Sequence, residues 1–292
     1  MDPTPLDSLD VPALLEISEP RGSTPWAWYA IGAGILLAGI NQLVSDEAKA
    51  LKLAFGALSG IAIMVILFAL LASSFAGMRA LRAQERRLDG VAEMIQLHRW
   101  PQAAIALRQM LSQPARSAHF RIQALVYFTT VLARYDRFDD AVTIQEYLLD
   151  RGLVDPTTAF GLRIGRTMAM LRQDRLFDAD RAISDLRRTP GAGDSAGVAL
   201  VELYRDVKTG HPTEALEMFQ RKLPILREQL GHRVADAWAL VGRAYDLLGR
   251  EDDARTAVAN ATLLAPPAEL LRRYPELEKL TGRFQPAPMP AA

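Results

Sequence analysis

The chain has 292 residues with a formal net charge of zero, 34 Lys+Arg against 34 Asp+Glu, and contains no cysteine. Disulfides, thiol catalysis and thiolate metal sites are therefore excluded, and the charge balance leaves no footprint for nucleic acid. The length accommodates two domains, or one helical solenoid with an appendage.

Residues 1–24 are acidic and punctuated by proline, with Asp2, Asp7, Asp10, Glu16 and Glu19 against Arg21 alone. This composition predicts a disordered tail, with Val11–Leu15 as its one candidate for a helical turn. It is unlike the basic start of a secretory signal. Two long uncharged runs follow. Trp26–Val44 has 19 residues, with Trp26, Trp28 and Tyr29 at one end as an interfacial belt, and Leu53–Gly77 has 25. Each matches the thickness of a hydrocarbon core, and the polar turn Ser45–Lys52 between them predicts a transmembrane hairpin over 25–77. Small residues recur at four-residue spacing (Ala30, Gly34 and Ala38, then Gly56 and Gly60), which suits helix packing in lipid. The hairpin packing on itself is the simplest use, and oligomerisation through the same faces is the sharper alternative. Neither run holds an acid, base or histidine, so no proton or ion pathway is encoded.

Arg79, Arg82, Arg86 and Arg87 stand just after the second run, whereas the turn has Lys49 and Lys52 offset by Asp46 and Glu47. The positive-inside rule then places both termini in the cytoplasm of an integral membrane protein. The preference for Arg over Lys and the abundance of Ala point to a GC-rich bacterial genome, hence an inner membrane.

From Met78 onward, 31 Lys+Arg face 27 Asp+Glu, and the pattern is of amphipathic helices with short breaks to about residue 280. Near its end, Ala235–Pro266 carries Trp238, Val241, Gly242 and Tyr245 at the spacing W-x2-L-G-x2-Y, continued by Ala254, Val258 and Pro266. This stretch resembles a tetratricopeptide repeat (TPR), a helix–turn–helix unit of about 34 residues. Small residues at Gly242 and Ala254 allow close helix approach, while Trp238, Tyr245 and Val258 fill the space between neighbouring units. Gly249 suits the turn, and Pro266 ends the second helix. The same turn-then-alanine signature recurs backwards at Trp100–Ala103, Phe138–Ala141, Leu176–Ala179 and Pro212–Ala215. The alanine intervals are 38, 38, 36 and 39 residues. About four to five degenerate repeats are expected over 78–280, with extra residues collected at 112–117, 151–157, 189–195 and 230–233. A polar helix over 268–280 is expected to cap the end, and 281–292 forms a Pro/Ala-rich disordered tail. The fold expected is all-α: a two-helix transmembrane hairpin followed by a TPR-like α-solenoid.

No reactive constellation emerges. His98, His119, His211 and His232 lack partners at metal-ligand spacing, and no phosphate loop or nucleophile elbow is present. The acid clusters at 136–140, 178–180 and 251–253 suit helix N-termini. No metal, no cofactor and no enzymatic activity are expected.

TPR domains line a concave groove with their first helices. The resemblance places Val126, Thr130 and Ala133, then Ile164, Met168 and Leu171, then Leu200, Tyr204 and Val207, then Arg243 and Asp246 on that face. These positions lack the Lys and Asn of a carboxylate clamp and suit an amphipathic helix or a hydrophobic segment. Packing of the superhelix, or the chain's own tail, is the alternative occupant. The function expected is a non-catalytic, membrane-tethered scaffold or adaptor that binds membrane-associated protein or peptide partners at the cytoplasmic face. The alternative is an accessory or chaperone subunit of a translocation or envelope-assembly machine, with the solenoid on the periplasmic side.

Overall fold

The computed structural model describes residue 6, residues 8–20, residue 32 and residues 49–284, and these are all-helical with no strand among them. The chain divides into two bodies, Met1–Val131 and Leu132–Ala292. The first expected span, 26–44, lies outside the described residues, as does the tail beyond 284.

In the first body, α1 (Val11–Ile17) is a short helix whose start is capped by Asp10, which accepts from the Ala13 amide at 3.1 Å. The composition had suggested a disordered tail here. Instead Leu6, Val11, Leu14 and Leu15 are buried. The end of α1 is held by Arg121, which is 4% exposed. Arg121 Nη2 donates to the Leu15 carbonyl at 2.6 Å and its Nε to Ser18 Oγ at 3.0 Å. A cation at this end complements the helix dipole, and four apolar side chains supply the burial that the acids on the outer face cannot.

The next helix, α2 (Lys49–Gln96), has 48 residues, roughly 72 Å at 1.5 Å per residue. It contains the whole second uncharged run and continues through the expected boundary at 77/78 without a break. Among its described side chains, Met64, Val65, Phe68 and Phe75 are exposed. Most side chains of 49–77 lie outside the described residues. Among the described residues no helix is long and apolar enough to cross a membrane.

Helix pairs follow: α3 (Trp100–Leu111) after α2, then α4 (Ala118–Arg134) and α5 (Phe138–Asp150), α6 (Pro156–Arg172) and α7 (Leu176–Arg187), α8 (Ala196–Lys208) and α9 (Pro212–Leu230), α10 (Val234–Leu247) and α11 (Glu251–Leu264). The five second helices begin at the five positions marked by the sequence signature. Their alanines, Ala103, Ala141, Ala179, Ala215 and Ala254, are at most 1% exposed. A methyl is the largest side chain that such a closely packed site accommodates without displacing the neighbouring helix.

All five turns share one construction. Two residues before each second helix sits a left-handed residue: His98, Asp136, Asp174, Gly210 and Gly249, with φ of 57°, 58°, 57°, 78° and 71°. The amide that follows it donates to a carbonyl five residues back: Arg99 to Met94, Arg137 to Leu132, Arg175 to Met170, His211 to Asp206 and Arg250 to Tyr245, all at 2.8–3.0 Å. The left-handed residue's own amide donates three residues back, completing a Schellman motif that satisfies the last carbonyls of the first helix. The acids Asp139, Asp140, Asp178, Glu251, Asp252 and Asp253 lie in the first turns of α5, α7 and α11, beside the positive helix end.

Within the second body, α6, α8 and α10 pack successively, each against its own second helix. Gly242 has the close approach expected of it: a Cβ there would lie 3.1 Å from Val258 Cγ2. Trp238 packs edge-on against Phe219 of the preceding pair, ring centroids 4.9 Å apart. After Pro266 the chain forms α12 (Pro267–Arg273), one 3₁₀ turn at Pro275–Leu277, and α13 (Glu278–Phe284). Pro275 interrupts the expected single helix.

Candidate binding face

The second body presents the C-terminal ends of its first helices on one side. Three bases stand there at one repeat position, seven residues before each signature alanine: Arg134 on α4, Arg172 on α6 and Lys208 on α8. Apolar groups from α8 and α10, including Tyr204, Val207 and Leu240, lie beside Lys208.

This side is not open. Residues 267–284 run along it, and apart from Arg273, which reaches ahead to α10, the contacts described below follow the order of the repeats. Arg134 Nη2 donates to Glu269 Oε1 at 2.8 Å, and Arg272 Nη1 donates to the Arg134 carbonyl at 3.0 Å. The Arg172 guanidinium lies between two rings, 5.6 Å from Phe138 and 5.8 Å from Tyr274. Lys208 Nζ reaches both Glu276 Oε1 and Asp174 Oδ1 at 2.9 Å. Tyr204 donates its hydroxyl to Glu276 Oε1 at 2.9 Å and meets the Tyr274 ring edge-on at 5.1 Å. Arg273 pairs at 2.6 Å with the fully buried Asp236 of α10. Leu280 approaches Gly242, and Arg283 pairs with Asp246, which also takes Arg243. Leu270, Tyr274, Leu277 and Leu280 are at most 2% exposed. The expected polar end cap is therefore a strap across several repeats, with Glu269, Arg272, Arg273 and Glu276 turned onto them and Glu278 and Lys279 exposed.

The electrostatics follow from this burial. Burial pushes the Tyr204 hydroxyl up, and the Glu276 carboxylate pushes it further, so it stays protonated as a donor. Burial and then Asp236 act likewise on Tyr274. For Glu276 burial acts upward, but hydrogen bonds from Lys208, its own backbone and Tyr204 outweigh it and hold the carboxyl below its ordinary range.

The sequence-predicted groove residues divide. Tyr204, Val207 and Arg243 line a pocket of about 190 Å³ beside the strap, together with Leu240, Leu247 and Leu277. Ile164 instead reaches Gly197 of α8, and Leu171 and Leu200 are buried between helices. These three are packing residues, because their angular position on α6 and α8 faces the adjacent helix. Met168 is half-buried against the same core. Val126 and Thr130 lie on the part of α4 in the first body, half-buried and exposed respectively. Among the repeat-signature residues, Tyr245 is half-buried under Arg250, whose guanidinium is 4.6 Å from its ring. Pro266 precedes α12, with Ala265 extended before it. The sequence reading missed Arg134, Arg172 and Lys208, although the alanine register marks them as a column of bases.

A second pocket, of about 360 Å³, lies between α5, α6 and α7, where Arg163 and Arg166 face Asp150 and Asp185. Its opposing charges favour no one ligand class. Among the described residues no group of three or more His, Asp or Glu is placed to hold a metal ion. No protein-family model, no curated protein and no solved structure shows a significant match to this chain.

Proposed function

We propose that this protein is a non-catalytic, membrane-tethered scaffold of TPR-like repeats that binds a segment of a partner protein along the face of Arg134, Arg172 and Lys208. The observation that supports this reading is the column of bases at one repeat position, engaged in turn by Glu269, Tyr274 and Glu276 of the chain's own C-terminal segment. A repeated array reads an extended ligand one unit at a time, which a single pocket does not do. The tether is the pair of uncharged runs, 26–44 and 53–77, and the exposed apolar side chains of α2 are the kind that lipid covers. Tethering confines the search for membrane-bound partners to two dimensions and raises their effective concentration. Arg79, Arg82, Arg86 and Arg87, all exposed on α2, favour a cytoplasmic repeat array at an inner membrane.

The test is affinity capture from native membranes in mild detergent, comparing the natural chain with Lys208→Glu. The reading expects a partner that the natural chain retains and the charge reversal loses. Identical retention by both chains would remove its basis.

A further inference from the structure

We infer that residues 267–280 are a resident pseudoligand of this face, displaced by a partner segment of the same chemistry: a short, proline-kinked amphipathic stretch with acids and one aromatic residue. The inference rests on the scaffold reading and names the class of ligand.

Three observations lead to it. First, the strap and the repeats are collinear. Glu269 meets Arg134, Tyr274 meets Arg172, Glu276 meets Lys208 and Leu280 meets Gly242, so these four contacts follow the order of the repeats, while Arg273 reaches ahead to Asp236 of α10. An end cap needs to touch only the last repeat; this segment returns to α4 and runs back out. Second, the join is polar for a permanent core. Glu276 Oε2 and the Nε atoms of Arg172 and Arg272 are buried without hydrogen-bond partners among the described residues. Such atoms weaken an interface and leave bonds for a better ligand to make. Third, the fit is incomplete. The 190 Å³ pocket beside Leu277, walled by Val207, Leu240 and Leu247, accepts a larger apolar side chain than leucine. A partner carrying one there, with acids at the Glu269 and Glu276 positions, outcompetes the strap.

The recognition pattern read from the strap is Glu-x4-Tyr-x-Glu-x3-Leu, from Glu269, Tyr274, Glu276 and Leu280. The acids meet Arg134 and Lys208. The ring enters between Arg172 and Tyr204. A base beside the ring meets Asp236, as Arg273 does.

The experiment uses the full chain in detergent and a fluorescent peptide of residues 266–281, followed by anisotropy. The natural chain, with its face occupied, takes up the peptide weakly. The strap variant Glu269→Ala/Glu276→Ala binds it at least about tenfold more tightly, the loss expected when charge-assisted bonds to the resident segment are removed. Lys208→Glu binds it in neither background, and a peptide with Glu276→Lys restores binding to that variant. A folded strap variant that gains no affinity over the natural chain overturns the inference and makes 267–280 ordinary core.

Amide hydrogen exchange on the natural chain decides independently, and does so even if the double variant fails to fold. The Tyr274 and Leu277 amides should exchange at least about 100-fold faster than those of Leu240–Ala244, because the strap opens without the repeats unfolding. Equal protection overturns the inference. Neither measurement involves a cellular partner, so the scaffold reading stands or falls separately on the capture experiment.

Discussion

The left-handed residue in each turn is the smallest feature with a repeated consequence. Three of the five are not glycine, and an L side chain in that region is strained by its own Cβ against the following carbonyl. Gly249→Ala should cost about 1 kcal/mol, whereas Asp136→Gly should gain up to about 1 kcal/mol, since the glycine removes that strain. Urea melts of the two variants should move in opposite directions, and a common direction would dissociate the turn geometry from stability. Glu276 makes a second residue-scale prediction, in pH. It faces Lys208 and Tyr204 on α8, and Asp174 shares the same lysine. Its folded-state pKa is lowered from 4.5, so the folded chain binds fewer protons here than the unfolded chain. The stabilisation is complete above the ordinary glutamate value and is lost as pH falls through the depressed one. Asp136 and Asp206 are pushed up by burial and contribute with the opposite sign. Strap opening, read by exchange at Tyr274, should therefore increase on acidification below about pH 4.5, and Glu276→Gln should flatten that dependence.

At the scale of elements, the parts legible in the sequence were those set by local rules. The second helices were found because a buried alanine and a tight turn recur at nearly fixed spacing, and both demands arise within a few residues. The inter-repeat turns fell where Pro and Gly collect, for the same reason. What was not legible is tertiary. Residues 8–20 have the acidic, proline-rich composition of a tail, and it is contacts about a hundred positions away, with Arg108, Ala115 and Arg121, that dock the Asp10-capped helix they form. Residues 268–280 have the charge of a polar cap, and only partners on distant helices (Arg134 and Lys208 for Glu269 and Glu276, Asp236 for Arg273) turn part of that charge inward. The groove positions divided, Tyr204, Val207 and Arg243 lining the pocket and Ile164, Leu171 and Leu200 packing between helices, because a helical wheel separates buried from exposed but does not tell the side facing the next helix from the side facing a ligand. The docking of α1 can be tested on its own. Arg121→Ala strips partners from the Leu15 carbonyl and from Ser18, a loss of about 2–3 kcal/mol for bonds to a charged donor at a buried site. Limited proteolysis should then cut within 8–20 while leaving α6–α11 resistant. Resistance of 8–20 in this variant would mean that apolar burial and the bonds from Arg108 and Ala115 hold α1 without Arg121.

At the scale of the whole molecule, the proposed tether carries a prediction of orientation, which would decide the compartment that supplies the partner. Helix α2 passes without a break from the second uncharged run into its arginine-bearing stretch, so the side on which those arginines sit is the side on which the first helix pair begins. Four arginines within ten residues of the run outweigh Lys49 and Lys52, which stand at the start of α2 and are offset in the sequence by Asp46 and Glu47. The bias in positive charge is what retains a flank in the cytoplasm. Because the chain contains no cysteine, it is suited to labelling with a membrane-impermeant maleimide: every signal comes from an introduced thiol. Ser45→Cys, between the two uncharged runs of the sequence, should react in intact cells. Gln113→Cys, exposed in the turn after α3, should react only after lysis. Four-residue tests of this kind can also be run against the charge itself: replacing Arg79, Arg82, Arg86 and Arg87 by Glu should weaken or invert the pattern, since it removes the asymmetry that sets it. Labelling of Gln113→Cys in intact cells of the unaltered background would place the binding face outside the cytoplasm. The same column of bases would then serve an envelope-assembly or chaperone role.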